Sequence, residues 1–346
     1  MRRYIVILLV LLYLSRPGFG APGRGAAKDS LLPVGGMGDR SSWNAEINSN
    51  LLDIEASYSL TGDNRKAFSR LLRIIRLRRS ITNKWIRVRL FNDLAGVSAR
   101  LRLYPIAMKC YYRASEDDLL FSDSVLSGQL LNVDSSRLIP GPSKQAQDSQ
   151  PVDVGQILAA FDDGKTASAY GLLVHVKQPA PGRRKPFTHI NNVGHMFITL
   201  IKYNTDNSVV CRSFGFYPDK SGLFSATPVH PASPSVIKDD AEHDWDEITG
   251  KFISVRRFQR ILEVLRAYDG RSYHLSMNNC TDFGLTMAAI GGINIRDTRG
   301  RWPLGKGNNP ANAGQSILEG KVSNNDPDNG MPLFVSSNGL GDKTVY

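Results

Sequence analysis

Apolar residues recur along this chain with two different periods, and the change from one to the other separates strands from helices. At 171–178, 195–203 and 208–217 they fall on alternate positions, the spacing of extended segments that bury at least one face. Asn204-Thr205-Asp206-Asn207 has the composition of a turn and joins the last two as a hairpin, which Gly215-Phe216-Tyr217-Pro218 closes. At 254–269 the period lengthens, with Phe258, Ile261, Leu262 and Leu265 on one helical face. A short helix is expected at 152–161. Another is expected at 281–290, stopped at Gly291-Gly292 as a left-handed cap stops a helix.

The first half is less regular. Ile47, Leu51, Ile54 and Tyr58 predict a helix over 43–60. Asp63 or Asn64 can cap a second one reaching about Arg79, with Phe68, Leu71, Leu72 and Ile75 on one face. Its other face carries Arg65, Lys66, Arg70, Arg73 and Arg76. At 85–91, Ile86, Val88 and Leu90 alternate with Arg87 and Arg89, which reads as a half-buried strand with a basic outer face. The segment onward to about 129 shows no chemical motif. Helices followed by hairpin-linked strands make the expected class α+β, an antiparallel sheet packed on helices with a mixed N-terminal region.

The expected organisation follows from shifts in composition. Arg2 and Arg3, an apolar run over 4–14, the breaker Ser15-Arg16-Pro17 and small residues to Ala21 have the layout of a cleaved export signal over 1–20. That apolar run is short for a bilayer span, so no stable membrane span is expected. A Gly/Pro-rich lead-in over 21–42, a basic accessory region over 43–138 and a Pro-rich linker over 139–152 come next. The main domain is expected over 153–320, followed by a flexible tail over 321–346.

Charge then narrows the partners. The chain carries a net charge of +11, which falls to +8 when Arg2, Arg3 and Arg16 leave with the signal. A basic exported protein meets peptidoglycan or another anionic envelope polymer before it meets nucleic acid, and no zinc-finger or RNA-binding motif is present. The basic helix and strand can hold such a polymer or serve as ordinary solvated faces. Three cysteines are an odd count for an oxidising compartment. Either Cys110 pairs with Cys211 and leaves Cys280 free, or all three are reduced.

The chemistry converges on Cys280 and His195. Asn278-Asn279 precedes Cys280 and supplies a favoured helix cap, so the thiol falls in the first helical turn. There the unpaired amides and the helix dipole favour the thiolate and can receive a developing oxyanion. His195, after Gly194, opens a strand and is placed to act as the base. Each also has a plainer reading, as a packed thiol and a core imidazole. His189 in the preceding loop is a rival base, His175 reads as packing or surface, and no histidine cluster has metal-ligand spacing. No metal or cofactor is expected.

Four segments carry a family resemblance: Val176-Lys177-Gln178-Pro179, Val193-Gly194-His195, Gly215-Phe216-Tyr217-Pro218 and Asn279-Cys280-Thr281-Asp282-Phe283. They resemble those of permuted NlpC/P60-type proteins, papain-like thiol hydrolases that include a lecithin:retinol acyltransferase-like branch, over about 172–315. The resemblance implies a papain-like fold in which the histidine strand precedes the cysteine helix, with Cys280 as nucleophile and His195 as base. A third polar group should orient the imidazole, and Ser213 on the paired strand is the candidate, with a backbone carbonyl as the other possibility. Gln178 as an oxyanion donor, Tyr217 through its ring or hydroxyl, and Asn279 are the candidate substrate contacts. Gln178 bonding its own loop and Tyr217 filling the hairpin corner are the plainer alternatives. The expected activity is hydrolysis of amides in peptidoglycan peptides through a thioester. An acyltransferase, a delivered toxin with a cognate inhibitor or delivery partner, or a non-catalytic wall-binding module are the alternatives.

Overall fold

The computed structural model describes residues 64–77, 84–115, 149–187, 192–219, 226–325 and 333–337. Three helices come first: α1 (Asn64–Leu77), α2 (Lys84–Arg100) and α3 (Tyr104–Ser115). Then follow β1 (Gln150–Pro151), α4 (Val154–Phe161), β2 (Ala167–Lys177), β3 (His195–Asn204), β4 (Val209–Pro218), β5 (Ala232–Ser233), β6 (Ser235–Asp239) and β7 (Glu247–Ile253). The chain continues through α5 (Val255–Tyr268), β8 (Tyr273–His274), α6 (Cys280–Ile290), β9 (Ile293–Ile295) and the hairpin β10 (Arg299–Trp302)–β11 (Gly305–Asn308). It ends in α7 (Pro310–Leu318), β12 (Val322–Asn324) and β13 (Phe334–Ser337). The protein is therefore α+β, built on an antiparallel seven-stranded sheet in the order β1-β6-β4-β3-β2-β7-β13.

Strand alternation sorts the side chains of β2 and β3 onto two faces, and both faces are covered. Leu172, Val174 and Val176 with Met196, Ile198 and Leu200 meet apolar residues of α4, α5, α6 and α7. Leu173 with Phe197, Ile201 and Tyr203 meets α1, α2 and α3. Phe283 of α6 is wholly buried, worth about 1.5–3 kcal/mol for a side chain of this kind. Gly284, one residue on, lets α6 lie close over β3, because a β-carbon there would collide with Met196. The predicted stop of this helix is present, with Gly292 at φ +81.

Four expectations change. The segment 85–91 is helical, as part of α2, not a strand. Its seven residues alternate by chance, whereas Ile86, Leu90, Leu94 and Val97, all buried, recur at helical spacing once the window is extended. Residues 64–115 are not separate from the main domain: Phe68, Leu71, Leu94 and Tyr104 share one core with Phe197, Ile201 and Ile248 of the sheet. The end of the expected linker is a sheet edge, since β1 pairs with β6, and 334–337 of the expected tail pair with β7. The expected helix at 43–60, the export signal, the lead-in and most of the linker lie outside the described residues.

Candidate active site

Cys280 is the first residue of α6, held there by a reciprocal cap. The Asn279 side-chain oxygen accepts from the Thr281 and Asp282 amides at 2.8 and 3.1 Å, and Asp282 accepts from the Asn279 amide at 3.0 Å. The Asn279 Nδ2 donates to the carbonyls of Leu275 and Asn308 at 2.8 and 2.9 Å. Every polar atom of that side chain is thus engaged in placing the thiol. Burial alone would push the Cys280 thiol up. A hydrogen bond from His195 and its positive charge, the Met196 amide and the Tyr273 hydroxyl outweigh burial and hold the thiol below its ordinary range.

The other two cysteines form no bond with each other. Burial pushes Cys211 up to about 12 and Cys110 higher still. Of three thiols, one is held in a setting that favours the reactive anion.

His195 opens β3, and its Nε2 lies 3.1 Å from Oδ2 of the fully buried Asp240. That leaves Nδ1 for the thiol, because the ring has two nitrogens and one is taken. Burial opposes a charged imidazole, but the Asp240 carboxylate and the Cys280 sulfur raise His195 to about 9. Burial likewise opposes the Asp240 anion, and the charge and hydrogen bond of His195 overcome it, so the carboxyl stays below its ordinary range. The second oxygen, Oδ1, accepts from the Tyr217 hydroxyl at 2.6 Å and the Ser149 hydroxyl at 2.5 Å. Gly215 makes room for the pair: a β-carbon there would collide with both His195 Nε2 and Asp240 Oδ2.

His195 and Cys280 are neighbours in the structure, and the remaining candidates have other partners. Ser213 does not orient His195; its hydroxyl bonds Thr199 at 2.7 Å, and Thr199 in turn bonds His175 at 2.8 Å. Asp240 takes the orienting position. Gln178 is 1% exposed and committed to its surroundings, donating to the Ala311 carbonyl at 3.0 Å and accepting from the Gly182 amide at 3.0 Å. It therefore offers no oxyanion donor. Tyr217 spends its hydroxyl on Asp240 and lays its ring over His195, with centroids 4.1 Å apart, so it supports the base instead of a substrate. His175 is packing, stacked on Phe197 and pushed by burial down to about 3. His189 lies outside the described residues. His243, 5.0 Å from His195 between ring centres, is pushed by burial and the neighbouring imidazolium down to about 4 and stays neutral.

Sequence reasoning missed Asp240, Tyr273 and Ser149. Asp240 follows the five-residue strand β6, and its sequence signal was a carboxylate at the exit of an apolar-polar alternation beside the hairpin of His195. Tyr273 sits in a two-residue strand seven positions before the thiol, and its hydroxyl meets both the sulfur and the amide of Cys280. Ser149 belonged to what read as linker, and no local pattern marks it.

Above the sulfur opens a cleft of about 400 Å³. Phe187, Val193, Pro228, Leu275, Trp302 and Pro310 make its wall largely apolar. Asn308 and Asn309, at the end of β11 and the start of α7, complete it, so the Gly/Asn-rich stretch after Trp302 forms one side of the cleft. Among the described residues no group of three or more His, Cys, Asp or Glu is placed to hold a metal ion. No protein-family model, curated protein or solved structure matches this chain.

Proposed function

We propose that this chain is an exported cysteine hydrolase that forms a thioester on Cys280. The observation that carries the reading is the buried series Cys280–His195–Asp240, in which one imidazole meets a lowered thiol on one side and a carboxylate on the other. The thiolate attacks a carbonyl carbon, and the imidazolium passes its proton to the leaving amine or alcohol. Neutral His195 then takes a proton from water, whose oxygen attacks the thioester and returns the sulfur as thiolate. The Tyr273 hydroxyl, next to both the sulfur and the Cys280 amide, is our candidate donor to a developing oxyanion.

A helix that starts at the nucleophile and packs on an antiparallel strand that starts at the base supports a papain-like reading. The order, histidine before cysteine, agrees with the permuted NlpC/P60 resemblance. For substrate, an exported basic chain points to peptide amides of peptidoglycan. The apolar cleft favours a second reading, transfer or hydrolysis of an apolar acyl group, since such a wall recognises hydrocarbon better than a glycan or charged stem peptide.

Mass spectrometry of products separates these readings. The protein and its Cys280→Ala variant are incubated with peptidoglycan stem peptides and, separately, with phospholipid. Stem cleavage by the parent alone supports the peptidase. An acyl mass on the Cys280 peptide supports the acyl reading. Neither product, or the same products from both proteins, contradicts the hydrolase.

A further inference from the structure

We infer that the face around the Cys280 cleft docks on an anionic lipid surface. The first observation is where apolar side chains are left in water. Among the described residues seven large ones are exposed; two of these line the cleft and three more lie within two residues of a lining residue. Phe187 and Val193 line it. Val229 follows the lining residue Pro228, and Met277 lies between the lining residues Leu275 and Asn279. Leu304 forms the turn after the lining residue Trp302. Single exposed apolar residues need no explanation, but this many on separate loops around one opening do.

Leu304 supplies the second observation. It is 80% exposed at the tip of the β10–β11 hairpin and has φ +64, a conformation that suits glycine or asparagine and is costly for a branched side chain. The fold gains no packing from leucine there. An apolar group held into solvent at the expense of backbone strain points to a surface that receives it.

Charge identifies that surface. Arg301 and Lys306 are direct cross-strand partners and both exposed, a like-charge pairing that weakens an isolated hairpin. Arg183 and Lys185, also exposed, precede Phe187 in its loop. The five stretches that carry these tips, 179–187, 192–194, 226–234, 272–279 and 299–308, contain no Asp or Glu. Apolar tips that enter the interface, surrounded by cations that stay among phosphates, are the composition of a protein lying on an anionic bilayer. These tips come from different loops, and a fluid surface receives each of them without a matching pocket. No helix among the described residues is long and apolar enough to cross a membrane.

Vesicle cosedimentation tests this with the full chain carrying Cys280→Ala, so that binding is read whether or not the hydrolase reading holds. Phosphatidylcholine vesicles are compared with and without phosphatidylglycerol. Binding is expected only to the anionic vesicles, weakened about tenfold or more by Arg301→Glu with Lys306→Glu and by Met277→Asp with Leu304→Asp. Leu304→Gly should weaken binding while raising Tm, because glycine relieves the backbone; replacing a purely structural leucine would lower Tm and leave binding unchanged. Val255→Asp, at the opposite end of the sheet from His195, should change nothing. No binding to anionic vesicles, equal binding to both kinds, or binding indifferent to the rim substitutions overturns the inference. So does self-association abolished by the same substitutions in a protein that ignores vesicles.

Discussion

At the scale of single residues, the site rests on two ionisations moved in opposite directions. His195 is raised to about 9, and Cys280 is lowered. The sign of each effect on stability follows from linkage. His195 contributes fully below its ordinary 6.5, and the contribution is lost as pH rises through about 9. Cys280 contributes fully above its ordinary thiol value, and the contribution is lost as pH falls through its lowered one. Across neutral pH the two slopes oppose each other. Tm of the parent is therefore expected to be nearly flat there, whereas Cys280→Ala should lose Tm as pH rises because only the imidazole, still charged by Asp240, remains. Parallel Tm curves for the two proteins would show that no such pair exists. In the proposed hydrolase reaction the proton on His195 is needed for the leaving group, so turnover should decline above about pH 9.

Secondary elements set the distances these groups need. β3 and β4 pair with Phe197 opposite Gly215, and β4 pairs with β6 with Gly215 opposite Lys238, which carries Asp240 round to the imidazole. Gly215→Ala places a methyl group between His195 and Asp240. We expect it to cost about 1–3 kcal/mol in denaturant unfolding and to slow Cys280 alkylation near neutral pH. Unchanged alkylation would mean that Asp240 does not govern the base. At this scale the sequence was most readable where periodic runs were long. The strands around His195, α5 and α6 lie where spacing and caps put them, because ten or more residues repeat one pattern. Segment 85–91 misled because its period was judged over two helical turns. Asp240, Tyr273 and Ser149 were hidden for another reason: each reaches the site through short strands whose partners are distant in the chain.

For the whole molecule, the N-terminal helices are part of the sheet's core and not an appendage. Leu94, Val97 and Met108 pack in the same cluster as Leu173, Phe197 and Ile248, all nearly solvent-free. One cooperative melting transition is expected, monitored together by far-ultraviolet circular dichroism and tryptophan fluorescence. Two resolved transitions would restore a separate accessory domain. Composition could not reveal this docking: Arg-rich helices read as solvated faces until the partner of their apolar side is known.

The most direct measurement of the central claim is the rate of Cys280 alkylation by iodoacetamide at pH 6, with the modified cysteine mapped by mass spectrometry. The parent should react at Cys280 at least about tenfold faster than a model thiol, with Cys110 and Cys211 spared. His195→Ala should abolish the excess rate and Asp240→Asn should cut it severalfold. A Cys280 rate equal to that of the model thiol, or one unaffected by either substitution, would contradict the account.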